Sequence, residues 1–354
     1  MNENFSGEYV TTNLKEHNGQ KGVVVKFSNP YSKVQTVPME ALTEMNQILE
    51  ELQKDESTKF MVFYGDTGDI HAGADVNMFA GDLDLAIVHD YFLAGISMDL
   101  NIKEISRTRK TVSIMQGQRY GGSVEWPLMA RTSVCTPDTT IQFSEVNIGL
   151  IPGWDGVLNV LLRSNKENAL YLAATGNRIT AQEMFDSGLV VSVCPDNEIM
   201  DKALDLATAD SLISKSAAKI LATRETVDQL IAQGTDTSRY RQLVEEVTSK
   251  LKNGELSPDR NHENYVSKYI AEKLAEFGKP LAPLAVRSVF DLIDAHSAIH
   301  WEDFEAIKEM ADYEGELCFQ LMNTMDRKTG VNSILTKDPL EKIAVYTGQT
   351  ENVH

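Results

Sequence analysis

Three short stretches of this chain bring glycine and carboxylate together. They are His71-Ala72-Gly73-Ala74-Asp75, Gly121-Gly122-Ser123-Val124-Glu125, and Phe143-Ser144-Glu145-Val146-Asn147-Ile148-Gly149-Leu150-Ile151-Pro152-Gly153. In the first, small residues flank a glycine, so the backbone can approach a ligand and turn an amide N–H outward. An ordinary strand-to-helix turn uses the same residues. In the second, glycines open a helix whose leading N–H groups have no partner within it. Those donors and the helix dipole can stabilise a developing oxyanion. Glu125 falls in the first turn, where a glutamate also simply complements the dipole. In the third, a glutamate precedes an apolar run and a Pro-Gly turn, a pattern that equally describes an exposed charge beside a core strand.

The elements that must hold these stretches alternate. Residues 21–28 are β-branched and short, a strand that ends at Asn29-Pro30. From Pro38, Leu42, Met45, Ile48, Leu49 and Leu52 recur at helical spacing. Phe60–Tyr64 is a second buried strand, closed by Gly65-Asp66-Thr67-Gly68. The glycine-bearing stretch 71–75 reads as a loop and 76–106 as a polar and apolar mix. Further strands are expected at Thr111–Gln116, Ser133–Cys135, Thr140–Phe143 and Val190–Cys194. Helices are expected at Val124–Ala130, from Pro152-Gly153 to about Leu162, at Asn168–Ala174, and from a Thr180 cap to Phe185. Such alternation defines an α/β class over about 1–200. Beyond that, helical periodicity dominates at 215–233, 238–252, 265–277, 284–296 and 301–325, with a polar loop at 254–264. The expected division is a core at 1–205 carrying the site and a helical region at 206–354.

Composition excludes several classes. The 354 residues are 42% apolar and 24% charged, enough for a sizeable core and unlike a disordered or collagen-like chain. Asp and Glu total 52 against 33 Lys and Arg, a formal charge of −19 with no basic cluster, which argues against nucleic acid and anionic membrane surfaces as partners. Cys135, Cys194 and Cys318 are too few and too scattered for a disulfide framework and fit a reducing compartment. The acidic first residues are not a secretory signal, and no apolar run approaches roughly 18 residues, so a cytoplasmic protein without a membrane span is expected.

In their order and spacing the three motifs resemble the crotonase (enoyl-CoA hydratase/isomerase) superfamily. His71-Ala72-Gly73-Ala74-Asp75 is similar to its AGAD-type loop, Gly121–Glu125 to its GGG-x-E segment, and Ser144–Gly153 to its PE-x-x-x-G-x-x-PG stretch. The resemblance continues through Ala173–Glu183 and Gly188-Leu189-Val190, and resumes at Asp326–Val331 and Thr336–Pro339. It covers about 280 residues, and the stretch 208–278 stands outside it as an extra segment. It implies a crotonase fold of repeated ββα units with a helical C-terminal region.

It also implies roles. The amides of Ala74 and Gly122 would form an oxyanion hole for a thioester carbonyl. Glu125 and Glu145, 20 positions apart as in the family's hydratases, would be the acid/base pair. The backbone near Ala72 would meet the adenine of coenzyme A, with Gly73, Asp75, Gly121, Trp154 and Asp155 completing the substrate-binding set. The expected reaction is hydration of an enoyl-CoA; coenzyme A belongs to the substrate, so no separate cofactor and no metal are implied. The expected assembly is a homotrimer or hexamer. Alternatives are thioester hydrolysis as in 3-hydroxyisobutyryl-CoA hydrolase, isomerisation, carbon–carbon cleavage, or a catalytically silent CoA-binding subunit.

The chain departs from the family pattern in places. Asn77 stands where a lysine often approaches the nucleotide phosphates, and Lys33 is a candidate substitute. Pro127 removes an N–H inside the oxyanion helix. Trp154 and Asp155 either tailor the acyl pocket or serve as a core tryptophan and a helix N-cap. Tyr346 and Lys337 are further candidates for ligand contact. His296 and His300, four apart on an expected helix, carry too few ligands for a metal site.

Overall fold

The computed structural model describes residues 4–65, 70–211, 216–296 and 299–349. Residues 66–68 of the expected closing loop and residue 215 lie outside them. The strands are β1 Val10–His17, β2 Gln20–Phe27, β3 Gln35–Thr36, β4 Phe60–Gly65, β5 Ile70–Gly73, β6 Lys110–Met115, β7 Gln118–Tyr120, β8 Thr132–Cys135, β9 Thr140–Gln142, β10 Ile179–Thr180 and β11 Ser192–Val193. They form two sheets. One runs β1-β2-β4-β6-β8-β11, parallel except for the antiparallel hairpin β1–β2 at its edge. The other runs β3-β5-β7-β9-β10, parallel except for β10.

Alternation along a strand explains how the first sheet is buried on both faces. Val23, Val25, Met61, Phe63 and Met115 join the main core with helices Met39–Lys54 and Leu85–Ser106. Their neighbours Val24, Phe60, Val62, Val112, Ile114 and Val134 point to the opposite face, where Ile199, Ala203, Leu204 and Ala207 of helix Ile199–Thr208 cover them. The expected boundary at 205 falls inside that covering helix. Residues on either side of it, from Val10 to Tyr346, share the main core.

Several elements differ from the sequence expectation, among them the expected helix 215–233, which begins only at Arg224 and runs to Gly234. β1 is an edge strand whose outward residues are polar, so its alternation is weak in the sequence. Residues 85–106 form a 22-residue helix, capped by Asp84, which accepts from the Ala86 and Ile87 amides. Asp99 and Lys103 are buried in it among apolar residues, which breaks the stripe that usually signals a helix. The expected helix 301–325 is two, Phe304–Met322 and Met325–Leu335, with Thr324 capping the second. The helices Thr237–Lys252 and Val266–Phe277 pack on each other through Tyr240, Leu243, Val247, Val266 and Ile270, a small core of their own. Among the described residues no helix is long and apolar enough to cross a membrane.

Candidate active site

The three motifs lie at the carboxyl ends of β5, β7 and β9, which lie side by side and parallel in the second sheet. They therefore meet beyond the carboxyl ends of those strands, where open parallel sheets place their ligands. Ser123 fixes the junction. Its Oγ donates to the His71 carbonyl at 2.6 Å and accepts from the Tyr120 amide at 2.9 Å, tying the helix Gly122–Leu128 to β5 and β7. His71–Gly73 belongs to β5 itself, and only Ala74-Asp75 is loop.

Two glycines are required by this close approach. Gly73 has φ +70°, and a Cβ there would stand 2.5 Å from the Gly122 nitrogen. Gly121 has φ +55°, and a Cβ there would stand 2.9 Å from Oε1 of Glu145. The amides of Ala74 and Gly122 donate to no protein acceptor among the described residues. The helix runs through Pro127, and the Ser123 carbonyl that proline leaves without a partner accepts instead from the buried Arg119 guanidinium at 3.1 Å.

A cleft of about 890 Å³ opens here. Ala72, Ala74, Asp75, Gly121, Gly122, Glu125, Glu145 and Trp154 line it; Gly73 and Asp155 do not. Glu125 is buried, and its Oε1 accepts from the amides of Trp154 at 2.8 Å and Gly156 at 3.1 Å. Burial pushes its carboxyl well above the ordinary range, and the charges of Glu145 and Glu314 add to this while the two amides pull it down. Glu145 opens the single turn Glu145–Ile148, and its Oε2 has no partner among the described residues. Burial pushes it up to about 7. Two buried carboxyl groups that feel one another titrate as a pair.

Trp154 is a core tryptophan that also reaches the cleft. It is 2% exposed and lines the cleft, and its ring fits only because Gly95 and Gly122 lack side chains. Asp155 occupies the N-cap position of helix Gly156–Arg163, yet its side chain makes no cap bond. It is fully buried at φ +65° and does not line the cleft, and its carboxyl shares a hydrogen bond with Asp99. Burial and the neighbouring Asp99 push its carboxyl up. Asp99 pairs with the equally buried Lys103, and Lys103 also donates to Asn159 at 2.8 Å. The true cap of that helix is Glu314, whose two oxygens accept from the Val157 amide at 2.9 Å and the Leu158 amide at 3.0 Å.

Several expected contacts are absent from the cleft wall. Ser32 and Val34 line it but Lys33 does not. Asn77 lines the rim and donates to Asp75, at 2.9 Å through its backbone and 2.7 Å through its side chain. Lys337 is exposed away from it, and Tyr346 is buried, its hydroxyl donating to the Asn147 carbonyl at 2.5 Å. The helix Pro283–Ala295 ends before His296, so His296 and His300 do not share a helical face; His296 packs against Tyr313. No cluster of three or more His, Cys, Asp or Glu side chains placed to hold a metal occurs among the described residues.

Sequence reasoning missed Lys279, Cys318 and Glu314. Lys279 is the one Lys or Arg on the cleft wall among the described residues. It follows the expected extra segment, and its neighbour Pro280 is held by the Asn147 side chain at 3.2 Å. Cys318 lines the cleft beside Gly153; burial raises its thiol, with Glu125 and Glu145 adding to the rise.

An unpaired amide at a helix start and a second beside it, facing two buried carboxyls, can stabilise charge that develops on an oxygen atom. The chain matches the enoyl-CoA hydratase/isomerase family over residues 29–341, and it belongs to that family, whose members act on acyl-CoA thioesters. The matched span includes 208–278, so the segment expected to be extra lies inside it. The chain is 27% identical over 187 residues to the fatty acid oxidation complex subunit alpha of Idiomarina loihiensis, covering 52% of this chain and 26% of that protein. It thus spans about a quarter of that relative. Its fold is similar to an enoyl-CoA hydratase from Rhodobacter sphaeroides (TM-score 0.61, 18% identity, 97% of this chain and 99% of that one). It is also similar to a carnitinyl-CoA dehydratase from Mycobacterium thermoresistibile (TM-score 0.61, 16% identity, 95% and 96%).

Proposed function

We propose that this protein adds water across the double bond of an α,β-unsaturated acyl-CoA, or removes it. The observation that carries the reading is the meeting of Glu125 and Glu145 in one cleft with the unpaired amides of Ala74 and Gly122. Water adds slowly to a conjugated thioester because negative charge accumulates on the carbonyl oxygen. Two fixed N–H donors, one at a helix start, stabilise that oxygen by a few kcal/mol without reorganising. The chemistry then needs one group to take a proton from water and one to deliver a proton to the α-carbon. Burial raises both carboxyls, so the pair retains a proton near neutral pH. Isomerisation needs a single base, and the second glutamate favours hydration.

The rest of the substrate follows from the cleft. Phe79, Phe92, Trp154 and Cys318 supply an apolar wall for the acyl group. Lys279 supplies the cation for the coenzyme A phosphates in place of the residue that is Asn77 here. Assembly as a trimer or hexamer and a cytoplasmic location belong to the same proposal.

The test is incubation with crotonyl-CoA and with longer and cyclic enoyl-CoAs, following loss of the enoyl-thioester absorbance. Turnover by the native chain and its loss in both Glu125→Gln and Glu145→Gln support the reading. Native-level turnover in either variant contradicts it. Thioester hydrolysis, as in 3-hydroxyisobutyryl-CoA hydrolase, is the second reading. It is favoured by the long helical C-terminal region lying inside the family match, and release of free thiol without loss of the double bond would select it.

A further inference from the structure

The turn that grips Glu125 is held from behind by a carboxylate with no part in the chemistry above. Four of the five residues 154–158 divide their amides between two acids. Trp154 and Gly156 donate to one oxygen of Glu125, at 2.8 and 3.1 Å, while Val157 and Leu158 donate to the two oxygens of Glu314, at 2.9 and 3.0 Å. Asp155 between them takes the left-handed conformation (φ +65°), which turns the flanking amides toward the same Glu125 oxygen. Gly156 must be glycine, since a Cβ there would stand 2.6 Å from Pro152 and 3.0 Å from that oxygen. Glu314 is fully buried on helix Phe304–Met322, far along the chain from either glutamate of the cleft.

We infer that Glu314 is a positioning residue for Glu125. By fixing the first amides of helix Gly156–Arg163, it sets the strained turn whose preceding amides hold one Glu125 oxygen and leave the other for the substrate. A helix cap accepts from the second or third amide of its helix whatever its role, and Val157 and Leu158 are those two. These amides directly follow the pair holding Glu125, so a slip of either Glu314 oxygen moves the grip on Glu125. The groups facing this carboxyl pair are Glu145, Cys318 and Tyr91 on the cleft side and Asp99, Asp155 and Lys103 behind. Lys103 is the cation among them, already paired with Asp99. Replacing Glu314 by Gln keeps the size, but an amide group offers one acceptor oxygen where two are used.

The inference rests on the reading of Glu125 as an acid/base group, and the experiment separates the two. Infrared difference spectra of the native chain against Glu125→Gln identify the Glu125 carboxyl band whether or not any thioester is turned over. Glu314→Gln is expected to shift that band. With a substrate in hand it is expected to lower kcat about tenfold to a hundredfold, the scale of a small misplacement of a reacting group, while KM stays within about twofold. A folded Glu314→Gln protein with the Glu125 band unmoved, or with kcat unchanged, overturns the inference. If Glu314→Gln does not fold, Val157→Pro removes one of the two donors within the first helical turn, where proline is tolerated, and the same two readouts decide. Failure of enoyl-CoA hydration alone would sink the functional reading and leave the band shift standing.

Discussion

Glu125 is anchored by the amides of a remote turn, Glu145 by its own backbone amide. Two backbone amides hold one oxygen of Glu125, and those amides belong to a turn fixed by Glu314 on a distant helix. Glu145 rests on a single turn of helix, with Gly121 close to one oxygen and no partner for the other among the described residues. The difference teaches that the two acids are tuned by different means. Burial raises both, but Glu125 also feels Glu145 and Glu314, and its amide bonds oppose that push.

The largest test of this contrast is the loss of either acid. Glu125→Gln and Glu145→Gln are each expected to lower kcat by about 10²–10⁴-fold, the usual worth of general acid–base help, in steady-state assays on an enoyl-CoA. Equal rates in native and variant chains would remove the pair from the chemistry.

Next comes the support behind Glu125. Lys103→Met leaves Asp99 buried without its cation, and such a break costs about 3–5 kcal/mol, read by denaturant unfolding. Replacing Asp99 and Lys103 together by apolar residues should cost much less. If the single and double changes cost the same, this pair is not what balances the buried charge.

Gly121→Ala acts on the Glu145 side. It forces a side chain at φ +55° and pushes on Oε1 of Glu145, with a strain cost of about 1–3 kcal/mol. Activity is expected to fall while the Glu125 carboxyl band stays in place. A moved Glu125 band would mean that the two environments are not separate.

The last effect is on stability against pH. The Glu145 pKa rises from 4.5 to about 7 in the fold. Between those values the native chain holds a proton that the unfolded chain has released, so this group's contribution to stability falls as pH rises through that window. Glu145→Gln should flatten that decline in thermal unfolding measured at successive pH values. An unchanged slope would contradict the raised value.

Much of the site is legible in the sequence because short motifs carry it. The glycines at 73, 121 and 122 and the glutamates at 125 and 145 stand in compact motifs, although β5 and β7 beside them carry no β-branched run, and all of them except Gly73 line one cleft. Glu314 is harder to find, since a glutamate within a helix ordinarily marks its solvent face. The signal is present all the same. Ile307, Met310, Ala311, Glu314, Cys318 and Leu321 recur at helical spacing, so Glu314 stands in the apolar stripe of its own helix. Asp99 and Lys103 show the same pattern one turn apart in Leu85–Ser106. Lys279 carries no local signal, because its place at the cleft depends on how the preceding helices fold back onto the turn after Glu145.

The most direct measurement is a crystal structure of Glu145→Gln with an enoyl-CoA bound. The thioester oxygen should accept hydrogen bonds from the Ala74 and Gly122 amides, with Glu125 and residue 145 facing the two carbons of the double bond. A thioester lying elsewhere, with those amides bonded to water or protein, would contradict the account.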